Sequence, residues 1–182
     1  MLPAPVTREE LAALVRSVPD YPAQGIVFRD LSPLLADARG LAATVQALAG
    51  TVRAARADKV AGMEARGFIF GAAVAIAAGC GFVPIRKAGK LPVATVGVDY
   101  ALEYGADRLE LDPTMLAQGE RVAIVDDLIA TGGTAQAASS LIAQASGAAP
   151  VAAAFVIDLP ALGGSALLRA QGTPVSALLS YP

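Results

Sequence analysis

The stretch Arg121–Thr134 constrains the fold more than any other part of the chain. It begins with an apolar and largely β-branched run, Val122 to Val125, which is typical of a buried parallel strand. Two acids follow, Asp126 and Asp127, and the residues from Thr131 onward open a helical pattern of apolar side chains. The order of strand, acid pair, small-residue loop and helix predicts a ligand site at the carboxyl end of the strand.

The groups in this loop suit a phosphate and a sugar. Gly132 and Gly133 allow the backbone to come close to a ligand. The free N–H groups at the helix start, with the hydroxyls of Thr131 and Thr134, form an anion site. Carboxylates just before it accept hydrogen bonds from sugar hydroxyls, or hold Mg²⁺ directly or through water. We therefore predict a ribose 5-phosphate cradle; the alternative is an ordinary strand end followed by a helix cap.

The composition excludes several kinds of chemistry. The chain has no histidine, which removes Ser-His-Asp and Cys-His catalysis and histidine-ligated zinc. Acid–base work must therefore fall to Asp, Glu, Lys, Tyr or the backbone. The net charge of −2 gives no overall electrostatic reason to bind nucleic acid or an anionic membrane.

The composition also bears on the compartment. Hydrophobic residues make up 55% of the chain, but many are alanine, and we find no uncharged apolar run of about 18 residues or more. The N-terminus lacks a basic region leading into an apolar core, so we predict no signal peptide. The single cysteine, Cys80, excludes an intrachain disulfide and fits a reducing compartment. We expect a cytoplasmic protein without a membrane partner.

Strand-like and helix-like segments alternate along most of the chain, which predicts an α/β fold with a doubly wound, mainly parallel sheet. The length of 182 residues fits one such domain. At its start, Thr7 and Glu10 match a capping box. Leu11 to Val18 then follows helical spacing, so we expect a helix that Pro19 ends.

A later region predicts a flap. Val93 to Val98 is apolar and β-branched, Asp99 to Gly105 interrupts it, and Arg108 to Leu111 resumes strand alternation. A long polar excursion between two strands is typical of a mobile flap, with residues 103–105 at its tip or hinge.

The sequence from Val125 to Thr134 resembles the phosphoribosyl pyrophosphate (PRPP) motif of the type I phosphoribosyltransferases, and specifically that of the adenine phosphoribosyltransferases. Further motifs follow the family order: Gly25 to Asp30, Glu64 to Phe68, Arg86 to Pro92 and Glu103 to Gly105. The resemblance covers nearly the whole chain. It implies purine salvage, in which adenine and PRPP give AMP and pyrophosphate with Mg²⁺ as the required ion.

The resemblance also implies the internal organisation and the assembly. One phosphoribosyltransferase domain spans residues 1–182, in which residues 1–35 form an N-terminal helix and a small hood over the base. Residues 93–112 form the flap. The arginine of the Arg86 motif is often presented to the neighbouring subunit in this family, which implies a homodimer. Gln24, Ala65 and Ala88 depart from the family pattern, which has proline, serine and often proline at these positions.

The resemblance assigns roles to individual residues. The catalytic residues are Glu103, which acts on adenine N7, and Asp126 and Asp127, which hold the ribose hydroxyls. Mg²⁺ is held mainly by PRPP and water, with Asp126 and Asp127 as candidate ligands. The other site residues are Ala130, Thr131, Gly132, Gly133 and Thr134 for the 5′-phosphate; Arg66, Gly67, Arg86, Lys87 and Lys90 for pyrophosphate; Val27, Phe28 and Arg29 for adenine; and Tyr100 and Tyr104 in the flap.

Two other functions remain open at this point. One is a phosphoribosyltransferase for another purine base, against which the hood stretch around Phe28 and Arg29 argues. The other is a PRPP-sensing regulator or RNA-binding protein built on the same fold, since fold does not fix function. The sequence has no basic excess to support that second function.

Overall fold

The structure is a computed structural model that describes residues 6–102 and 105–182. Its strands are β1 Arg16–Pro19, β2 Val27–Asp30, β3 Lys59–Met63, β4 Gly81–Lys87, β5 Val96–Leu102, β6 Gly105–Leu111, β7 Arg121–Ile129, β8 Ala149–Asp158 and β9 Val175–Ser180. Its α-helices are α1 Arg8–Ala13, α2 Ser32–Ala36, α3 Ala38–Ala54, α4 Arg66–Ala78, α5 Gly133–Ser146 and α6 Gly164–Ala170. Short 3₁₀ helices lie at Pro113–Met115 and Pro160–Leu162.

The main sheet has seven strands in the order β5-β6-β4-β3-β7-β8-β9. Strands β4, β3, β7, β8 and β9 are parallel, whereas β5 and β6 form an antiparallel hairpin at one edge. Helices α3 and α4 pack on one face of the sheet, and α5 packs on the other. This architecture confirms the predicted doubly wound, mainly parallel α/β fold.

Strand β7 contributes side chains to the two hydrophobic cores, one on each face of the sheet. Its apolar run from Val122 to Val125 is fully buried. Val122 and Ile124 pack with the residues of α5, while Ala123 and Val125 pack with those of α3 and α4. Because successive side chains of a strand point to opposite faces, a strand covered on both sides needs apolar residues at every position.

The N-terminal segment differs from its predicted form. The capping box is present, since the Thr7 hydroxyl accepts from the Glu10 N–H and the Glu10 carboxylate accepts from the Thr7 N–H. However, the prediction that the helix continues to Pro19 was wrong: α1 ends at Ala13, and β1 pairs antiparallel with β2. Cross-strand pairing between the two short segments outweighs the helical spacing of the apolar residues. The resulting two-stranded sheet, β1 and β2, is called the hood below.

The flap region also differs from expectation. Its polar residues lie in the hairpin itself, with Asp99 opposite Arg108 and Leu102 opposite Gly105. The predicted interruption of the strand at Asp99 was therefore wrong, because β5 continues to Leu102. The mobile flap over residues 93–112 stays a prediction. The Asp99 carboxylate lies 3.0 Å from the Arg108 guanidinium, and such cross-strand pairs favour strand structure. The predicted tip residues Glu103 and Tyr104 lie outside the described residues.

Within residues 6–102 and 105–182, none of the helices has the length and apolar character needed to cross a membrane.

Candidate active site

The loop between β7 and α5 carries the residues of the predicted phosphate cradle. Gly132 has φ +86°, a conformation that glycine adopts easily, and α5 begins directly after it. A Cβ on Gly132 would lie 2.7 Å from the Cα of Gly164, and the Gly164 N–H donates to the Ala130 carbonyl over 2.9 Å. The start of α6 therefore supports the loop from behind. The N-terminal N–H groups of α5 remain for a ligand, as at any helix start.

A cavity of about 520 Å³ opens at this loop. The described residues that line it come from both halves of the sheet: Glu64, Ala65, Arg66, Lys87, Tyr100, Asp107, Asp126, Asp127, Leu128, Ile129, Ala130, Thr131, Gly132, Gly133, Thr134, Ala135 and Phe155. The structure thus brings the predicted phosphate loop, the acid pair, Arg66, Lys87 and Tyr100 to one site. It lies at the carboxyl ends of the parallel strands, where α/β sheets bind ligands.

The two acids at the end of β7 have different surroundings. Asp127 is buried, and its carboxylate accepts a hydrogen bond from Arg66 Nε. Asp126 is half-buried and accepts from the Asp127 N–H over 2.8 Å. Burial, and then the negative charge of Asp127, raise the pKa of Asp126 well above its usual value. The hydrogen bond to Asp127 raises the pKa of Arg66, so this guanidinium stays charged.

Gly67 allows the two ligand loops to approach each other. A Cβ on Gly67 would lie only 2.7 Å from Asp126 Oδ1. The start of α4, which carries Arg66, can therefore pack directly against the acid pair. The Glu64–Ala65 peptide bond just before it is cis.

Three of the predicted pyrophosphate ligands are paired with carboxylates. Arg66 pairs with Asp127, Arg86 Nε lies 3.0 Å from Glu64, and Lys87 Nζ lies 3.0 Å from Asp107. The hydrogen bond from Arg86 lowers the pKa of Glu64, and the hydrogen bond to Asp107 raises the pKa of Lys87. Each of the three cations is thus held in place by a carboxylate.

The structure does not bring every predicted cation to the cavity wall. Arg86 and Lys90 are not among the described residues that line it. Arg86 lies within β4 and turns toward Glu64, whereas Lys90 is exposed in the loop after that strand.

The predicted adenine ligands lie in the hood. Val27 and Phe28 are 44% and 36% exposed, and the Phe28 ring meets the Tyr21 ring edge-on at 5.4 Å. Arg29 donates to the Ser17 hydroxyl and stacks on the Tyr181 ring, with 4.2 Å from its central carbon to the ring centroid. Val27, Phe28 and Arg29 are not among the described residues that line the main cavity.

Sequence reasoning missed several residues of the site. Glu64, Asp107, Leu128 and Phe155 line the cavity, although none of them was assigned a role in binding or catalysis. Asp107 carried a usable signal: it shares strand alternation with Leu109 and Leu111, which are buried, so it lies on the inner face of β6. The support that Gly164 gives to the cradle had no comparable local signal.

The acid pair fits a magnesium ion that brings most of its own ligands. Among the described residues, no group of three or more acidic, histidine or cysteine side chains could hold a metal. Asp126 and Asp127 offer carboxylate oxygens, but Asp127 also accepts a hydrogen bond from Arg66. Mg²⁺ usually keeps several waters and takes one or two carboxylates plus substrate phosphates, which matches this donor set.

Comparisons with known proteins agree with this site. Residues 33–164 match the phosphoribosyl transferase domain family. The adenine phosphoribosyltransferase of Novosphingobium aromaticivorans is 59% identical over 177 residues, which cover 97% of this chain and 99% of that protein.

Two crystal structures share the fold. Adenine phosphoribosyltransferase from Thermoanaerobacter pseudethanolicus is 40% identical with a TM-score of 0.89, covering 96% of this chain and 100% of its own. The Saccharomyces cerevisiae enzyme, complexed with adenine and an imino-altritol bisphosphate, is 38% identical with a TM-score of 0.88, covering 94% of this chain and 98% of its own. Together with the phosphate loop, the acid pair and the cations around one cavity, these similarities show that the chain belongs to the adenine phosphoribosyltransferase family of glycosyltransferases.

Proposed function

We propose that the protein transfers the phosphoribosyl group of PRPP to adenine and releases pyrophosphate and AMP. The main support is a cavity at the strand ends, which gathers the phosphate loop, the acid pair Asp126 and Asp127, and the cations Arg66 and Lys87. A ribose 5-phosphate ester, its hydroxyls and a pyrophosphate need these three kinds of group. The yeast relative was crystallised with adenine, which supports the choice of base.

In this reaction the bond from C1′ to the pyrophosphate oxygen breaks and the electron pair leaves with pyrophosphate. A bond from C1′ to adenine N9 forms, and the N9 proton passes to water or to the released pyrophosphate. Such displacements pass through an oxocarbenium-like state. The residues Ala130 to Thr134 hold the 5′-phosphate through backbone N–H groups and hydroxyls. Asp126 and Asp127 hold the ribose hydroxyls and place negative charge near the ring as positive charge develops on it.

The leaving pyrophosphate needs positive charge and a dry site. Arg66 and Lys87 line the cavity and supply that charge at its wall. In this proposal Gly67 would contribute backbone, and Arg86 and Lys90 would add positive charge. Asp126 and Asp127 are the candidate side chains for Mg²⁺, which would neutralise phosphate charge when bound.

The base is assigned to the hood. Backbone groups at Val27 with the side chains of Phe28 and Arg29 would bind adenine, and Glu103 would hydrogen-bond or protonate N7. A keto purine would present the opposite hydrogen-bond pattern and leave buried groups unpaired, which is the basis for strong discrimination. In the flap, Tyr100 and Tyr104 would help to exclude water from the bound PRPP.

We also infer that residues 1–182 act as one domain, with the base hood within residues 1–35 and the flap within residues 93–112. The protein would work as a cytoplasmic homodimer. The support for a dimer is the outer face of α4, where Ile76 is 84% and Ile69 is 46% exposed, because such apolar side chains seven residues apart form a stripe that a second subunit can cover.

The test is AMP formation from adenine, PRPP and Mg²⁺, with hypoxanthine and guanine as parallel substrates and EDTA as a control. We expect magnesium-dependent turnover of adenine alone. Turnover of another base would contradict the role of the hood. Binding of PRPP without turnover of any base would favour a PRPP-sensing regulator instead.

A further inference from the structure

Asp107 is a carboxylate on the inner face of the flap hairpin, where it lines the main cavity. Its Oδ1 accepts from the Arg108 N–H over 2.8 Å, which fixes the carboxylate. Its Oδ2 accepts from Lys87 Nζ at 3.0 Å and from the Tyr100 hydroxyl at 3.3 Å. One carboxylate therefore connects the edge hairpin with the end of β4.

Tyr100 extends the connection to the phosphate loop. It lies directly opposite Asp107 in the hairpin, so both side chains stand on the same face. Burial raises the pKa of Tyr100. Tyr100 and Thr134 both line the cavity, and α5 packs against the strand that carries Tyr100, so this side chain lies between the hairpin and the first turn of α5.

Lys87 can keep this partner when an anion binds. An ammonium group has three N–H donors, and Asp107 occupies one direction around it. The remaining donors can point to a phosphate without loss of the ion pair. A lysine has a long and flexible stem, so a fixed carboxylate also reduces the entropy that Lys87 loses on binding.

We propose that Asp107 is a positioning residue, which holds the Lys87 ammonium at the pyrophosphate side of the cavity and connects it through Tyr100 to the 5′-phosphate loop. The proposal rests on the function proposed above, because it takes pyrophosphate as the ligand of Lys87. Asp107 acts through these two side chains and makes no contact with the reacting atoms.

The proposal predicts a change in pyrophosphate binding that is opposite in sign to the change expected from the charge of Asp107 alone. Asp107→Asn removes a negative charge beside a polyanion, which alone would strengthen binding of pyrophosphate. If Asp107 positions Lys87, the same substitution weakens that binding instead. The sign of the change therefore separates positioning from repulsion.

The experiment measures binding of magnesium pyrophosphate by calorimetry, together with kcat and the KM values for PRPP and adenine. We expect Asp107→Asn to weaken pyrophosphate binding and raise the KM for PRPP about fivefold to tenfold, and Tyr100→Phe about threefold. The KM for adenine should change less than twofold. The double variant should be no weaker than Asp107→Asn, because both residues act in one connected unit.

Asp99→Asn is the matched control. Asp99 lies in the same hairpin and pairs with Arg108 at 3.0 Å, but it is exposed and is not among the described residues that line the cavity. It should leave pyrophosphate binding unchanged. Equal weakening in Asp99→Asn would overturn the proposal, as would unchanged or tighter binding in Asp107→Asn.

Binding of pyrophosphate needs no base, so the two proposals can fail separately. If the wild-type protein binds pyrophosphate and Asp107→Asn weakens that binding, Asp107 has the proposed role even when adenine is not converted. If adenine is converted and both Asp107→Asn and Tyr100→Phe bind pyrophosphate normally, the role of Asp107 is refuted and the reaction stands.

Discussion

The two sides of the cavity that we propose to bind phosphate groups are built in different ways. The loop from Ala130 to Thr134 relies on backbone, hydroxyls and a helix start, and its shape is fixed by contact with Gly164. The opposite side relies on the charged side chains of Arg66 and Lys87, each paired with a carboxylate. The first side is ready for a phosphate, whereas the second must share or exchange partners when pyrophosphate binds. The difference suits a group that stays bound throughout the reaction and one that has to leave.

Gly132→Ala should break the backbone side and give the largest effect. The new Cβ would clash with the Gly164 Cα, and φ +86° is unfavourable for alanine. Strain of this kind costs about 2 kcal/mol or more, which corresponds to a KM for PRPP about 30-fold higher. Steady-state kinetics measure this change.

Gly172→Ala is the control for Gly132→Ala. Gly172 has φ +90°, but a Cβ there would meet nothing within 4 Å. It should share the backbone strain, lower the melting temperature and leave the KM for PRPP unchanged. Equal KM values for the two variants would show that contact with α6 does not shape the cradle.

Arg66→Ala tests the charged side. The loss of a charge-assisted partner should weaken pyrophosphate binding about tenfold, as measured by calorimetry. Arg16→Ala is a close match, since the Arg16 side chain is 63% exposed against 62% for Arg66, and it also pairs with a less exposed aspartate, Asp30. That control should bind pyrophosphate as the wild type does. A loss in both variants would point to a general effect of charge.

The smallest expected effect is a change in thermal stability, in the Asp126→Asn variant. The pKa of Asp126 is raised in the folded protein above its ordinary value of 3.8, so the folded state binds the proton more tightly than the unfolded state. The contribution of Asp126 to the free energy of unfolding of the wild type is therefore complete below pH 3.8. It is lost as pH rises through the pKa of Asp126 in the folded state. Asparagine stays neutral, so the variant should melt about 2–4 °C higher than the wild type at pH 7.

Melting curves at pH 4 and pH 7 test this expectation. The gain should nearly vanish at pH 4, while activity falls at both pH values because an acceptor for the ribose is lost. Asp99→Asn, at an exposed carboxylate, should show no gain at pH 7. A gain for Asp126→Asn that is larger at pH 4 would contradict the raised pKa.

The sequence predicted features that depend on neighbouring residues better than features that depend on residues far apart in the chain. Strand β7, the acid pair and the start of α5 were predicted well, because their signals lie within one short stretch. The signal for the capping box at Thr7 was equally local. Strand β1 and the paired flap hairpin were not predicted, since they depend on which segment lies opposite.

In the site, too, residues within a local motif were predicted and partners distant in sequence were not. The motif residues of the phosphate loop, Arg66 and Lys87 came together as predicted. The carboxylate partners of Lys87 and Arg86 were not predicted, because Asp107 meets Lys87 and Glu64 meets Arg86 only after the sheet has formed. The placement of Glu103 and Tyr104 relative to adenine stays a prediction.

The contact between Gly132 and Gly164 has a consequence for redesign. The two residues are far apart in sequence, yet neither can gain a side chain unless the other backbone moves. Engineering that aims at a different phosphate group must therefore vary the loop after β7 and the start of α6 as one library. In libraries confined to residues 130–134, the backbone of Gly164 would stay in place behind the loop in every variant. Such libraries would mainly lose the variants with larger side chains at the contact.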